Sequence, residues 1–398
     1  MNKTLFATLL QPIEAIIASI APIIDQQTDS QKLFFTDFVW KLIFGYVYQT
    51  SSLRNLLLEL KTNPICSALG FEATPYSTFK DGFSRFESKH FKQLFENLLA
   101  HINLSQVPYL DEIGVCRVID GSLFPTLLSI NWTNYRETKN ALRLHLSFDL
   151  NQMIPTEFWV GTGNSNERSF LEKVVKAGIT YIADRGYFSF GIADKILKAE
   201  AFFVMRAKDN LIYEAVEKLV IETSQLPQCF REVTDEIVIF TNDEQQNRLR
   251  LITFKVAGSY FRVVTNRFDL TTLNVIILYA YRWQIELFFK FMKRTMKGIH
   301  LLNHSQNGVE IQFYVLMITA VLMLKLKQES QKLEEKEEKA ENEEEKSEKN
   351  LLNPSEWIKE IGKIFYKSWK ISKNWLIVVK NKLTQIVDYE LLRLLNDY

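Results

Sequence analysis

Residues 115–205 alternate between strand-like and helix-like segments in an order that permits few folds. Three strands follow one another, and a helix, a strand, a second helix and a last strand come after them. Hairpin-connected strands followed by alternating helices and strands indicate a mixed sheet in an α/β domain. The predicted strands are 116–119, 141–150, 154–160, 180–183 and 202–205, and the predicted helices are 167–177 and 191–200.

Two of these strands end at an aspartate that a glycine closely follows. Asp120 precedes Gly121, and Asp184 precedes Arg185 and Gly186. Glycine lets the backbone turn sharply and leaves room beside the acid. Strand ends of an α/β sheet are also where ligand sites form. An aspartate before glycine is often only a turn residue, so each acid taken alone leaves a structural role open.

Residues 279–298 predict a helix with one charged stripe and one apolar face, at about 100° per residue. The apolar face carries Ile285, Phe288, Met292 and Met296 and is expected to meet a core. The charged stripe has a single carboxylate among cations, which suggests a surface that binds a polyanion. A solvated face with an ordinary Glu286–Lys290 pair is the alternative. The stripe consists of Tyr279, Arg282, Glu286, Lys290, Lys293 and Lys297.

Glu286 could pack against the same sheet and bring a third acid to the two aspartates. Three neighbouring carboxylates repel one another unless cations neutralise them. A pair of Mg²⁺ ions takes oxygen ligands from carboxylates and phosphates. Two such ions about 3.5–4 Å apart stabilise the attacking and leaving oxygens of an in-line displacement. The sequence therefore suggests phosphodiester hydrolysis and strand transfer. Other acids, among them Glu167, lack the flanking glycines.

The spacing of Tyr279, Arg282, Glu286 and Lys293 resembles the YREK signature of bacterial insertion-sequence transposases of the IS-four family. Other segments are also similar to that family: VIDGS around Asp120, ADRGYF around Asp184, and the run FFVMRAK. The resemblance covers about residues 75–326. It implies an RNase H-like catalytic domain, with a mixed five-stranded sheet, flanking helices and a β-rich insertion before the catalytic glutamate.

The same resemblance implies the roles of the site residues. Asp120, Asp184 and Glu286 are expected to form a DDE triad that binds two Mg²⁺ ions, for which Mn²⁺ can substitute. Tyr279, Arg282 and Lys293 are expected to contact DNA phosphates at the cleaved transposon end. Helical geometry alone adds Lys290 and Lys297 as auxiliary phosphate contacts.

The implied partner is double-stranded DNA, both the terminal inverted repeats of the element and its target. The implied activity is cut-and-paste transposition by a homodimer that pairs two ends. Two alternatives stay open. One is an RNase H-like nuclease that does not transpose, and the other is a domesticated DNA-binding protein without catalysis.

The domain division follows these changes of pattern. The pattern of residues 73–86 predicts a helix that carries Lys80 and Arg85. This basic helix suggests a helix-turn-helix-like DNA element, although an ordinary helical bundle is an equal alternative. The predicted regions are a helical N-terminal DNA-binding region (1–105), the catalytic domain in two parts (106–207 and 269–327), a β-rich insertion (208–268), a Glu/Lys-rich linker (328–350) and a helical C-terminal region (351–398).

Cysteine content and hydropathy suggest a cytoplasmic protein, and the resemblance implies that it is nucleoid-associated when bound to DNA. The net charge of +1 argues against a nucleic-acid partner, but residues 329–350 hold ten Glu and five Lys, so the rest of the chain is basic. Three distant cysteines predict reduced thiols. Polar residues interrupt the apolar N-terminus, and the uncharged run at 311–324 is short for a membrane span, so we expect a buried helix there.

Overall fold

The computed structural model describes residues 3–26, 33–104, 107–126, 134–136, 139–221, 226–227, 230–256, 258–296 and 300–343. The described chain divides into two compact units. One contains the residues up to 104 together with those from 290 onward, and the other contains residues 107–289. The predicted C-terminal region, Lys297 and Cys229 lie outside the described residues.

The first unit is helical, and phenylalanines dominate its core. Phe35, Phe38, Phe79 and Phe91 are fully buried, and their rings meet edge to face or tilted. Its N-terminal helices are α1 (Lys3–Gln26), α2 (Phe35–Val47), α3 (Leu53–Thr62), α4 (Pro64–Ala68), α5 (Tyr76–Arg85) and α6 (Ser88–His101). After residue 290 it contains a π-helical turn (Phe291–Thr295) and α12 (Gln306–Glu343), because helices α7 to α11 belong to the second unit.

Two helices of this unit are long and apolar enough to cross a membrane, Leu5–Gln26 and Gln306–Ser330. In the second, 67% of the most apolar window is buried. Ile311, Val315 and Ile318 are fully enclosed. The prediction of a buried helix at 311–324 is therefore confirmed, because the core of the unit covers its apolar side chains.

The helix predicted to carry Lys80 and Arg85 is α5. Lys80 is exposed, whereas Arg85 is half-buried and donates to the carbonyl of Leu33. Of these two predicted cations, therefore, only Lys80 presents an exposed side chain.

The second unit is built on one mixed sheet of ten strands in the order β2-β3-β1-β5-β6-β10-β9-β8-β7, with β4 paired to β3. β1 is parallel to β5, and β5 is parallel to β6. The strands are β1 (Cys116–Thr126), β2 (Asn134–Arg136), β3 (Lys139–Asp149), β4 (Ile154–Thr162), β5 (Thr180–Ala183), β6 (Phe202–Arg206), β7 (Tyr213–Lys218), β8 (Arg231–Phe240), β9 (Arg248–Val256) and β10 (Ser259–Thr265).

The prediction of a five-stranded sheet is wrong in extent. The five strands that it named form a continuous set, β4-β3-β1-β5-β6, and the insertion extends this sheet. β10 pairs with β6 through Val263↔Arg206 and Thr265↔Val204. This pairing satisfies backbone groups that an edge strand would leave unpaired.

Helices of the second unit pack against this sheet and present their apolar faces to it. Leu171 and Ile192 belong to the same buried cluster as Tyr181 and Phe203 of the sheet. The helices are α7 (Pro108–Asp111), α8 (Glu167–Val174), α9 (Phe190–Lys198), α10 (Thr272–Tyr281) and α11 (Trp283–Lys290). The mixed α/β prediction is confirmed.

The charged helix predicted over 279–298 is not continuous. α10 ends at Tyr281, α11 begins at Trp283, and a π-helical turn follows from Phe291. At the break, the amide of Arg282 donates to the carbonyl of Tyr279, a tighter turn than an α-helix makes. Because the period changes twice, the described polar residues from Tyr279 to Lys293 do not lie along one regular helix. The predicted apolar residues Ile285, Phe288, Met292 and Met296 are nevertheless all buried.

Candidate active site

The two aspartates emerge at the same edge of the sheet. The parallel pairing of β1 with β5 reaches Val118↔Ile182, and Asp120 and Asp184 each come two residues later. β5 ends before Asp184, as predicted. β1 does not end at Asp120, because its pairing with β3 continues from Asp120↔Leu146 to Thr126↔Asn140. Asp120 therefore projects from a strand that one neighbour still holds in place.

Backbone amides fix the orientation of both carboxylates. The amide of Gly121 donates to Oδ1 of Asp120 at 2.8 Å, and the amide of Gly186 donates to Oδ1 of Asp184 at 2.7 Å. A β-carbon at position 186 would lie 3.0 Å from Oδ1 of Asp184. A side chain at position 186 would therefore crowd the Asp184 carboxylate.

Arg282 connects Asp120 to the third acid. Its Nη2 donates to Oε1 of Glu286 at 2.7 Å, and its Nη1 lies 3.8 Å from Oδ2 of Asp120. Tyr279 is buried beside Arg282, with its ring 6.3 Å from that of Phe261 in β10. The predicted Tyr279, Arg282 and Glu286 thus lie together with Asp120 in one unit.

Burial and like charge make this cluster unfavourable as a set of bare anions. The pKa of Asp120 is raised to about 7, mainly by desolvation and then by Asp184 and Glu286, although the Gly121 amide and Arg282 oppose this rise. Burial also raises the pKa of Tyr279. The pKa of Tyr187 is raised mainly by burial and then by Asp120, Glu167 and Asp184. One guanidinium does not fully neutralise these acids, so the cluster favours a further cation.

A fourth carboxylate, which lacked any glycine signal in the sequence, also lies here. A β-carbon at Gly121 would lie 3.4 Å from Oε1 of Glu167, and one at Gly186 would lie 3.4 Å from its Oε2. Glu167 therefore adjoins both aspartate turns, and it forms an ion pair with Arg143. The strand directions explain its place. β4 is antiparallel to β3 and β3 to β1, so α8, which follows β4, begins at the edge where β1 and β5 deliver the aspartates.

The carboxylates of this cluster are chemically suited to bind a divalent cation, because carboxylate oxygens are ligands that Mg²⁺ and Mn²⁺ prefer. Within the described ranges, no group of three or more His, Cys, Asp or Glu side chains is arranged to hold a metal ion. Arg282 lies between Asp120 and Glu286 instead. A metal bound by both acids would compete with Arg282 for their oxygens.

The remaining predicted cations belong to the helical unit. Lys290 and Lys293 are half-buried, and Lys297 is outside the described residues.

A buried polar network that the sequence analysis missed anchors the start of α10. Arg250 of β9 donates Nε and Nη2 to the two carboxylate oxygens of Asp235 at 2.9 and 2.6 Å. Thr272, the first residue of α10, donates to the same carboxylate at 2.7 Å. Arg250 also donates to the carbonyls of Arg267 and Leu270. The insertion strands thus hold the helix that leads to Arg282.

Comparison with known proteins agrees with this geometry. The family described as "Transposase DDE domain" matches residues 113–322, more than half of the chain. A Sinorhizobium fredii protein named as a transposase is 27% identical over 215 residues, which span 53% of this chain but only 60% of that relative.

Two further relatives carry names that refer to insertion sequences. The transposase named for element IS5377 of Geobacillus stearothermophilus is 22% identical over 83% of this chain and 88% of its own length. The transposase named for element IS4SA of Synechocystis is 23% identical over 64% of this chain and 72% of its own length. Such proteins act on DNA, and their family generally uses divalent metal ions. The match over residues 113–322 shows that this chain belongs to the transposase DDE domain family.

Proposed function

We propose that this chain is a transposase of the IS-four type that binds the terminal inverted repeats of its own element and moves that element by cut-and-paste transposition. The observation that carries the proposal is the grouping of Asp184 and Glu286 around Asp120, with Arg282 between two of these acids. The set β4-β3-β1-β5-β6 supports an RNase H-like catalytic core. Residues 1–105 are assigned to DNA binding.

In this proposal Asp120, Asp184 and Glu286 are the catalytic acids and hold two Mg²⁺ ions, or Mn²⁺ in their place. Bound divalent ions supply Lewis acidity at the scissile phosphate. The Gly121 and Gly186 amides keep one oxygen of each aspartate occupied and so orient the other oxygen. Buried Tyr279 supports Arg282, whose planar fork suits a carboxylate or a phosphate equally. Arg282 accordingly exchanges a carboxylate for a DNA phosphate when substrate binds.

The proposed substrate is double-stranded DNA, as the element's paired ends and then as the target. A homodimer pairs the two ends. The proposed location is the cytoplasm, at the nucleoid when the protein is bound to DNA.

The proposal is tested with DNA fragments that carry the ends of the element. The purified protein, given Mg²⁺, should cleave at these ends and join them to target DNA, while a fragment of the same length without the ends should stay intact. Equal cleavage of both fragments would identify a general nuclease. Binding of the ends without cleavage in Mg²⁺ or Mn²⁺ would identify a DNA-binding protein that has lost catalysis.

Lys293→Ala is expected to weaken binding of the ends and to slow cleavage, because Lys293 is proposed to contact a phosphate. One lost phosphate contact should reduce the slope of log affinity against log salt by about 0.9. Lys198→Ala, which removes an exposed lysine of α9 that pairs with Asp194 at 2.7 Å, is the matched control. Titrations at several salt concentrations give the slope, and a slope equal to that of the control would remove Lys293 from the phosphate contacts.

A further inference from the structure

A polar pocket of about 320 Å³ lies beside the Asp184 turn, and the catalytic role proposed above does not use it. Two arginines and one glutamate give its lining a net charge of +1. The lining residues are Arg143, Ser165, Asn166, Glu167, Arg168 and Gly186. Because Gly186 binds Asp184 through its amide, the pocket adjoins one of the proposed catalytic acids directly.

The two arginines of the pocket differ in how their charges are balanced. Arg143 forms an ion pair with Glu167 and donates Nε to the carbonyl of Gly163 at 3.1 Å. Arg168 donates Nε to the carbonyl of Gly186 at 3.1 Å. Among the described residues it has no acid within 4.0 Å and interacts with Glu167 only at longer range. One bond thus holds the Arg168 guanidinium on the Asp184 turn and leaves its two terminal nitrogens available.

This arrangement is unlike that of Arg282, which already faces two acids. A phosphate that binds Arg282 competes with two carboxylates, whereas Arg168 forms no ion pair within the described residues. The N-terminus of α8 adds a partial positive charge at the same point, because Asn166 caps that helix and Arg168 lies in its first turn. The pocket therefore favours an anion that approaches from the side of Asp184.

We propose that this pocket binds a backbone phosphate of the DNA strand that is cleaved, next to the scissile phosphate, with Arg168 as its main contact. The inference rests on the proposed function, since DNA must occupy the acids for a neighbouring phosphate to reach the pocket. Each strand of a duplex carries one phosphate per about 3.4 Å of helix axis, so a phosphodiester at the acids brings adjacent phosphates within reach. The pocket would fix the strand's register relative to the acids.

The test compares DNA binding by Arg168→Ala, Arg168→Lys and a matched control, Lys173→Ala. Lys173 lies on the same helix but outside the pocket, with its ammonium 5.1 Å from the ring centre of Trp159. Binding is measured with end fragments in EDTA, where cleavage cannot contribute. Arg168→Ala should bind about tenfold more weakly, the effect of one charged hydrogen bond. Its salt slope should fall by about 0.9. Arg168→Lys should keep the slope and lose part of the affinity, and Lys173→Ala should match the wild type.

Methylphosphonate substitution makes the test specific to one phosphate, because it removes the charge of a single backbone position. With wild-type protein, one position beside the cleavage site should weaken binding when substituted. With Arg168→Ala, that same substitution should have no further effect. Arg168→Ala binding as Lys173→Ala does, or the same methylphosphonate sensitivity in both variants, would overturn the inference.

The same experiment separates this inference from the proposed function. If the wild type binds and cleaves the ends but Arg168→Ala behaves as the control, the pocket assignment alone fails. If the phosphate coupling is found but the ends are not cleaved in metal, the transposase proposal fails and the pocket assignment stands. Wild-type protein without affinity for DNA would overturn both.

Discussion

Asp120→Asn, Asp184→Asn and Glu286→Gln are each expected to lower cleavage of the element's ends about a thousandfold or more, while binding of those ends persists. Each change removes one charge and keeps the size of the side chain. The loss should be large because these carboxylates are proposed to act where charge develops in the transition state. A gel assay of nicked ends in Mg²⁺ gives the rate, and gel retardation in EDTA gives the affinity.

Asp194→Asn is the matched control for these variants. Asp194 is an aspartate of the same unit, and within the described residues its only ion pair is with exposed Lys198, at 2.7 Å. Loss of the Asp194 charge should leave the cleavage rate within about twofold of the wild-type rate, because exposed ion pairs contribute little to stability. Full cleavage by Asp184→Asn would remove that acid from the catalytic set, and equal losses in all four variants would indicate a general effect of lost charge.

The stability of Asp120→Asn gives an independent check with a predictable sign. The pKa of Asp120 is raised to about 7 in the folded protein, above its ordinary value of 3.8. A raised pKa means that the protonated form favours folding, and this advantage is lost as the pH rises from about 4 through 7. At pH 8 in EDTA, Asp120→Asn should therefore melt at a higher temperature than the wild type. A lower Tm would contradict the burial and repulsion ascribed to Asp120.

Asp235→Ala is expected to lower the free energy of unfolding by about 3–5 kcal/mol, as is typical when one partner of a buried ion pair is removed. The side chains of Asp235 and Arg250 are 0% and 4% exposed. Truncating Asp235 leaves a guanidinium that still faces two backbone carbonyls but has no counter-charge. It also removes the acceptor of Thr272 at the start of α10. Urea unfolding followed by circular dichroism measures the change.

Two further variants test whether the unpaired charge of Arg250 causes the loss of stability in Asp235→Ala. Asp209→Ala removes an exposed aspartate near β6 and should change stability by less than about 0.5 kcal/mol. The double variant Asp235→Leu with Arg250→Met should lose less stability than Asp235→Ala, because it removes both charges and retains volume. A double variant as unstable as the single one would show that the hydrogen bonds to the loop before α10 matter more than the charge.

The resemblance at residues 279–293 named three residues that lie together near Asp120, whereas the helical periodicity assumed one continuous helix. The helical periodicity predicted six residues on one stripe, whereas the α-helix is interrupted at Arg282 and is replaced by a π-helical turn at Phe291. The pair of Arg282 and Glu286 keeps the predicted separation of one helical turn. Such changes in the backbone hydrogen-bonding pattern depend on how neighbouring segments pack. A pattern of polar residues in the sequence therefore does not predict them.

The sequence by itself determined the mixed α/β class, the strand that delivers Asp184 and the family to which the chain belongs. These follow from local alternation, from turn glycines and from a short motif, all of which lie within a few residues. Only the tertiary structure decided that the insertion extends one sheet, that Glu167 adjoins both aspartate turns and that Asp235 anchors α10. Each of these depends on contacts between segments far apart in the chain, because strand order and direction determine which ends meet at one edge.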